Sequence, residues 1–115
     1  MDKFVIQGGR PLKGTVKING SKNALLPILA ATLLTPEKCI IKNAPTLRDT
    51  LTMARILRSL GVSVNIDNST IEVKSGNFTK NTADYRLVST MRASFCVLGP
   101  ILARLKTAKV SLPGG

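Results

Sequence analysis

The 115-residue sequence contains no histidine and no tryptophan. Without histidine, these residues offer neither imidazole acid–base chemistry nor the nitrogen ligands of the usual zinc sites, and no metal site is expected. Aromatic residues make up only 3% of the chain, and Phe4, Phe78, Tyr85 and Phe95 are scattered along it. A base-stacking platform for nucleic acid is therefore not expected. The two cysteines, Cys39 and Cys96, each stand in an apolar context without metal-ligand spacing. Both are expected to be buried, reduced thiols of a cytosolic protein. No run approaches the roughly 20 apolar residues that cross a bilayer. The opening Met1-Asp2-Lys3-Phe4 lacks the charged-then-apolar layout of a secretory signal, so neither a membrane partner nor export is expected.

Acidic residues are also scarce. Six of them face 17 Lys and Arg, which leaves a net charge of +11. That balance suits nucleic acid, anionic lipid or small phosphorylated molecules. The basic residues are dispersed, without the dense run of a nucleic-acid-binding tail. Hydrophobic residues supply 43% of the chain, enough for a modest core.

Read from the start, Phe4-Val5-Ile6 has strand character, Gly8-Gly9-Arg10-Pro11 turns, and Gly14 to Ile18 alternates like a half-buried strand. An all-round apolar stretch from Ala24 to Leu34 predicts a buried helix, and Cys39-Ile40-Ile41 a strand. Thr46-Leu47-Arg48-Asp49 reads as a capping box for a second helix, which would end at Gly61. Val62 to Ile66 and Thr70 to Val73 predict a hairpin around Asp67-Asn68-Ser69. Beyond a polar loop, Tyr85 to Val88 reads as a strand, Met91 to Leu105 as a helix, Ala108 to Leu112 as a closing strand, and Pro113-Gly114-Gly115 as a turn. The class is mixed α/β, with helices covering a sheet.

"GSKNALLPILAATLL" and "STMRASFCVLGPILARL" echo each other: a small polar turn, a cation, then a proline-containing apolar helix. Lys22 and Arg92 thus open two helices, at the end where the helix dipole repels a cation. If both open on one cleft, cations and free N–H groups would converge around a phosphate or carboxylate. Asn23 adds a donor and an acceptor, and Pro27 has no N–H to offer its carbonyl. Each cation also has a plainer reading as a solvated surface residue, and Asp49 as a helix-capping acid.

"GGRPLKGTVKINGSKNALLPILAATLL", "APTLRDT", "TMRASFCVLGPILAR" and "VSLPGG", in this order, resemble the opening of the UDP-N-acetylglucosamine enolpyruvyl transferase family. The resemblance implies an inside-out α/β barrel of repeated βαβαββ units, of which this chain would supply the N-terminal portion. It implies that residues 1–21 are strands joining the far domain, and that residues 22–115 form the first part of the substrate-binding domain. The implied reaction moves the enolpyruvyl group of phosphoenolpyruvate to the 3-hydroxyl of UDP-N-acetylglucosamine, in the bacterial cytoplasm and without a cofactor. By resemblance, Lys22 and Asn23 contact phosphoenolpyruvate, Arg92 and Asn23 hold the UDP-sugar, and Arg48 and Asp49 lie near the cleft. The family's reactive cysteine directly follows the "LPGG" turn, so no catalytic residue falls within this chain, which alone is expected to be inactive. Neither Cys39 nor Cys96 matches that position. The competing readings are the shikimate-pathway enolpyruvyl transferase, with a similar Gly-Ser-Lys turn, and a small basic nucleic-acid-binding module.

Overall fold

The computed structural model describes residues 1–112. Helix α1 spans Lys22–Ala31 and tightens into a 3₁₀ turn at Thr32–Leu34. The Ser21 hydroxyl accepts from the Ala24 N–H at 3.3 Å, which caps the helix start. Leu25, Leu26, Leu29, Ala30 and Leu33 turn inward, while Pro27 and Ile28 face outward. The face carrying Pro27 therefore stays open to solvent.

Strand β1 (Lys38–Ile41) leads to helix α2 (Arg48–Ser59), then to β2 (Ser63–Asp67) and β3 (Thr70–Lys74). Met53, Ala54, Ile56 and Leu57 of α2 are buried at helical spacing, and Gly61 ends the segment at a φ of 87°. Asn68, at a φ of 51°, lets the β2–β3 turn close in two residues. The sheet order is β1-β3-β2, with β3 antiparallel to both neighbours. Strands β1 and β2 therefore run parallel, joined by α2 as a crossover, with β3 inserted between them. Val64, Ile71 and Val73 bring the inner face of the sheet onto the helices. The order α1-β1-α2-β2-β3 is the expected βαβαββ unit without its leading strand.

The last helices complete the core. A short α3 (Tyr85–Val88) precedes a 3₁₀ segment at Arg92–Val97 and helix α4 (Leu98–Leu105). Arg104 of α4 donates to the carbonyls of Leu33 at 2.8 Å and Gly76 at 2.7 Å, and lies 5.4 Å from the centre of the Phe78 ring. It pins the loop after β3 to the end of α1.

Several expectations are corrected. Phe4–Ile6 and Gly14–Ile18 form no strand, and Phe4, Val5, Ile6, Val16 and Ile18 are exposed. A strand needs a ladder partner for its backbone, and no described strand pairs with either segment. Thr46 does not cap α2: its hydroxyl donates to the Asn68 carbonyl at 2.9 Å, and Leu47 holds the cap position without a side-chain bond. Tyr85–Val88 is helical rather than extended, because Asp84 caps it by accepting from the Arg86 N–H at 2.8 Å. The single helix expected over Met91–Leu105 is split, 3₁₀ before Leu98 and α after it. Ala108–Leu112 makes only a single parallel bridge, Lys109 with Thr82. Cys96 is exposed and Cys39 half-buried, both as free thiols, so neither is the buried thiol expected. The turn expected at 113–115 lies outside the described residues.

Candidate functional site

Two helix N-termini meet beside the loop that follows β1. Gly20 makes the meeting possible: a Cβ at this position would collide with the Asn43 carbonyl oxygen. Asn43 itself takes a left-handed φ of 55°, and the next residue, Ala44, donates its N–H to the Ser69 carbonyl at 2.8 Å. This loop is thereby fixed to the hairpin turn, and α2 starts close to α1. Thr50 adds a tie by donating its hydroxyl to the Pro45 carbonyl at 2.7 Å.

Lys22, the first residue of α1, reaches across the gap. Its Nζ lies 2.8 Å from Oδ2 of Asp49, the second residue of α2. The Lys22 and Asp49 side chains are 39% and 36% exposed, so the pair borders solvent rather than filling the core. The acid suits the positive end of α2, whereas the cation opposes that of α1, and the contact offsets part of this repulsion. Asn23 is exposed beside Lys22, and Arg48 is exposed beside Asp49.

Arg48 and Asp49 also line a cavity of about 480 Å³ with Leu51, Thr52 and Arg55 of α2, Leu87 of α3 and the following Thr90. Arg55 lies seven residues after Arg48 on the same helix face, a spacing legible in the sequence though not singled out there. Leu87 comes from a segment that reads as extended in the sequence, and Thr90 from the link to the next helix, which hid their approach to α2.

Arg92 opens the 3₁₀ segment that packs on α1 and is exposed. Among the described residues its guanidinium makes no ion pair or hydrogen bond, and it does not line the Arg48 cavity. The structure thus joins Lys22 with Asp49 directly, with Asn23 and Arg48 flanking them, and leaves Arg92 on a neighbouring element. Three cations, Lys22, Arg48 and Arg55, outnumber the one acid among them. A cationic excess beside two helix N-termini suits an anionic ligand.

The sequence profile of the EPSP synthase (3-phosphoshikimate 1-carboxyvinyltransferase) family matches residues 6–115. The chain belongs to the EPSP synthase family. Within it, similar proteins include the UDP-N-acetylglucosamine 1-carboxyvinyltransferase of Methylacidiphilum infernorum, 54% identical over all 115 residues, which cover 27% of that protein. Those of Solibacter usitatus and Acinetobacter guillouiae are 51% and 49% identical over the whole chain, covering 28% and 27% of their lengths. The chain therefore spans little more than a quarter of these relatives. The crystal structure of the enolpyruvyl transferase NikO from Streptomyces tendae superimposes with a TM-score of 0.75 at 25% identity, over 84% of this chain and 23% of that one. The mixed helix and sheet arrangement is thus the N-terminal part of an enolpyruvyl transferase fold. None of the described helices is long and apolar enough to cross a membrane, and no metal-holding cluster of His, Cys, Asp or Glu occurs among the described residues.

Proposed function

We propose that this chain forms part of the substrate cleft of an enolpyruvyl transferase acting on phosphoenolpyruvate and UDP-N-acetylglucosamine in the bacterial cytoplasm. The enolpyruvyl group passes to the sugar 3-hydroxyl and inorganic phosphate leaves. The observation that carries this reading is Lys22 at the N-terminus of α1, set beside the N-terminus of α2 in a half-exposed position. Lys22 and Asn23 receive the phosphate of phosphoenolpyruvate, where the charge of a compact ammonium adds to the helix dipoles. Arg92 and Asn23 hold the UDP-sugar, and Arg48 and Asp49 border the cleft.

The reactive thiol of this reading follows Gly115 in the full-length parent, acting as proton donor and covalent partner of phosphoenolpyruvate. The chain alone, with only part of the cleft, is inactive. Residues 1–21 join the far domain, and the exposure of Phe4, Val5, Ile6, Val16 and Ile18 supports this, since such side chains normally find a partner surface.

The test is phosphate release from phosphoenolpyruvate by the full-length parent, with UDP-N-acetylglucosamine or shikimate 3-phosphate as acceptor. Release with the UDP-sugar alone is the expected result. Release with shikimate 3-phosphate alone assigns the chain to the shikimate-pathway enzyme, and release with neither overturns the reading.

A further inference from the structure

We infer that Asp49 is a positioning residue that acts through Lys22, holding its ammonium over the paired helix N-termini before the anionic substrate arrives. The inference deepens the reading of Lys22 as a phosphate-binding residue and rests on it. The geometry starts from a conflict. A lysine at the first position of a helix is pushed away by the free N–H groups there, and its four-carbon stem lets it turn out to solvent. Left alone, Lys22 would be oriented only when the anion binds, and ordering that side chain would weaken binding.

Asp49 removes this freedom. Its Oδ2 holds Nζ at 2.8 Å, and the acid stands on the first turn of a different helix, 27 residues on. It is itself placed by α2, whose start is fixed through Thr50 to the Pro45 carbonyl. An ammonium has three donors, and a single carboxylate oxygen uses one of them. The remaining donors stay available to a phosphate, so the latch and the ligand share one ammonium rather than exchange it. Partial exposure of both side chains keeps the attraction modest and the site open to an arriving anion.

Arg48, on the same turn, cannot serve in this way, since it carries the same charge as Lys22. Asp49 is therefore the group that sets where the Lys22 ammonium waits. Its action is separable from that of a substrate contact, because it disappears when Lys22 is absent.

A double-mutant cycle in the full-length parent tests this, with steady-state rates taken across phosphoenolpyruvate concentration and thermal melting of every variant. Asp49→Ala is expected to raise KM for phosphoenolpyruvate roughly two- to fivefold with kcat unchanged, the pattern of lost binding without lost chemistry. Asp49→Glu, which keeps the charge, is expected to recover much of the effect, and Asp49→Asn, which keeps only an acceptor, less. In the Lys22→Ala background, Asp49→Ala is expected to change nothing further. Additive losses at the two sites, or an unchanged or lowered KM in Asp49→Ala, overturn the inference. If Lys22→Ala alone leaves phosphoenolpyruvate use intact, the underlying reading of Lys22 fails instead, and the two failures are distinct.

Discussion

The ammonium of Lys22 and the carboxylate of Asp49 join the first turns of α1 and α2, 2.8 Å apart across 27 residues of sequence. Each turn presents backbone N–H groups without helical partners, and each carries a half-exposed charged side chain. Within one contact the fold therefore gathers two helix dipoles, a cation and an anion. The excess charge around it, from Arg48 and Arg55, is positive. That combination suits an anionic group.

The closeness of the two turns depends on Gly20. Gly20→Ala is expected to lower stability by about 1–3 kcal/mol, because its methyl group meets the Asn43 backbone rather than a side chain that can swing away. Gly8→Ala is the control, with open space around its added carbon. Urea unfolding of the two variants separates them: equal midpoints would mean that the β1–α2 loop yields freely and does not fix the helix starts.

Much of this fold is legible in the sequence wherever the apolar period is strong. The inward positions of α2, the Gly61 stop and the β2–β3 hairpin follow from spacing and turn chemistry alone. The all-round apolar run from Ala24 to Leu34, by contrast, reads as fully buried and gives no sign that Pro27, Ile28 and Leu34 face outward. The failures occur where structure depends on a partner. Phe4–Ile6 reads as a short strand and Gly14–Ile18 alternates like one, but neither has a described edge to pair with. Tyr85–Val88 is too short for periodicity to decide, and one cap at Asp84 tips it to helix. At the site, the wrong-end position of Lys22 was readable as a cation awaiting an anion. That the protein itself supplies one was not readable, because Asp49 had a sufficient local explanation as a helix-start acid, and only the tertiary approach of α2 adds the second role.

Arg92 should report on the sugar nucleotide rather than on phosphoenolpyruvate. Removing one charge-assisted hydrogen bond typically costs roughly 1.5–3 kcal/mol, so Arg92→Ala is expected to weaken UDP-N-acetylglucosamine binding about ten- to hundredfold. Its exposure and its lack of protein partners among the described residues separate this effect from a folding defect. Calorimetric titration of the full-length parent with the UDP-sugar reads the effect. Unchanged affinity returns Arg92 to the surface.

The two thiols of this chain should be silent toward substrate analogues. Cys96 is exposed and Cys39 half-buried, yet neither is placed where the resemblance puts the reactive cysteine. Intact-mass spectrometry of the isolated chain with an electrophilic phosphonate epoxide is expected to show no adduct. The full-length parent should gain one, on a cysteine directly after Gly115. An adduct on Cys39 or Cys96, or a parent without that thiol, contradicts the assignment of the nucleophile.

The phosphate-binding role of Lys22 is the centre of this account, and one series of variants measures it. Steady-state rates of the full-length parent across phosphoenolpyruvate concentration are compared for wild type, Lys22→Arg, Lys22→Ala and Lys22→Glu. The loss of kcat/KM for phosphoenolpyruvate is expected to grow in that order. Reversing the charge facing a phosphate is expected to reduce it roughly a hundredfold or more. The arginine variant should keep only part of the activity, since a planar fork does not reproduce a compact ammonium. Near-normal kcat/KM in Lys22→Glu would contradict the account.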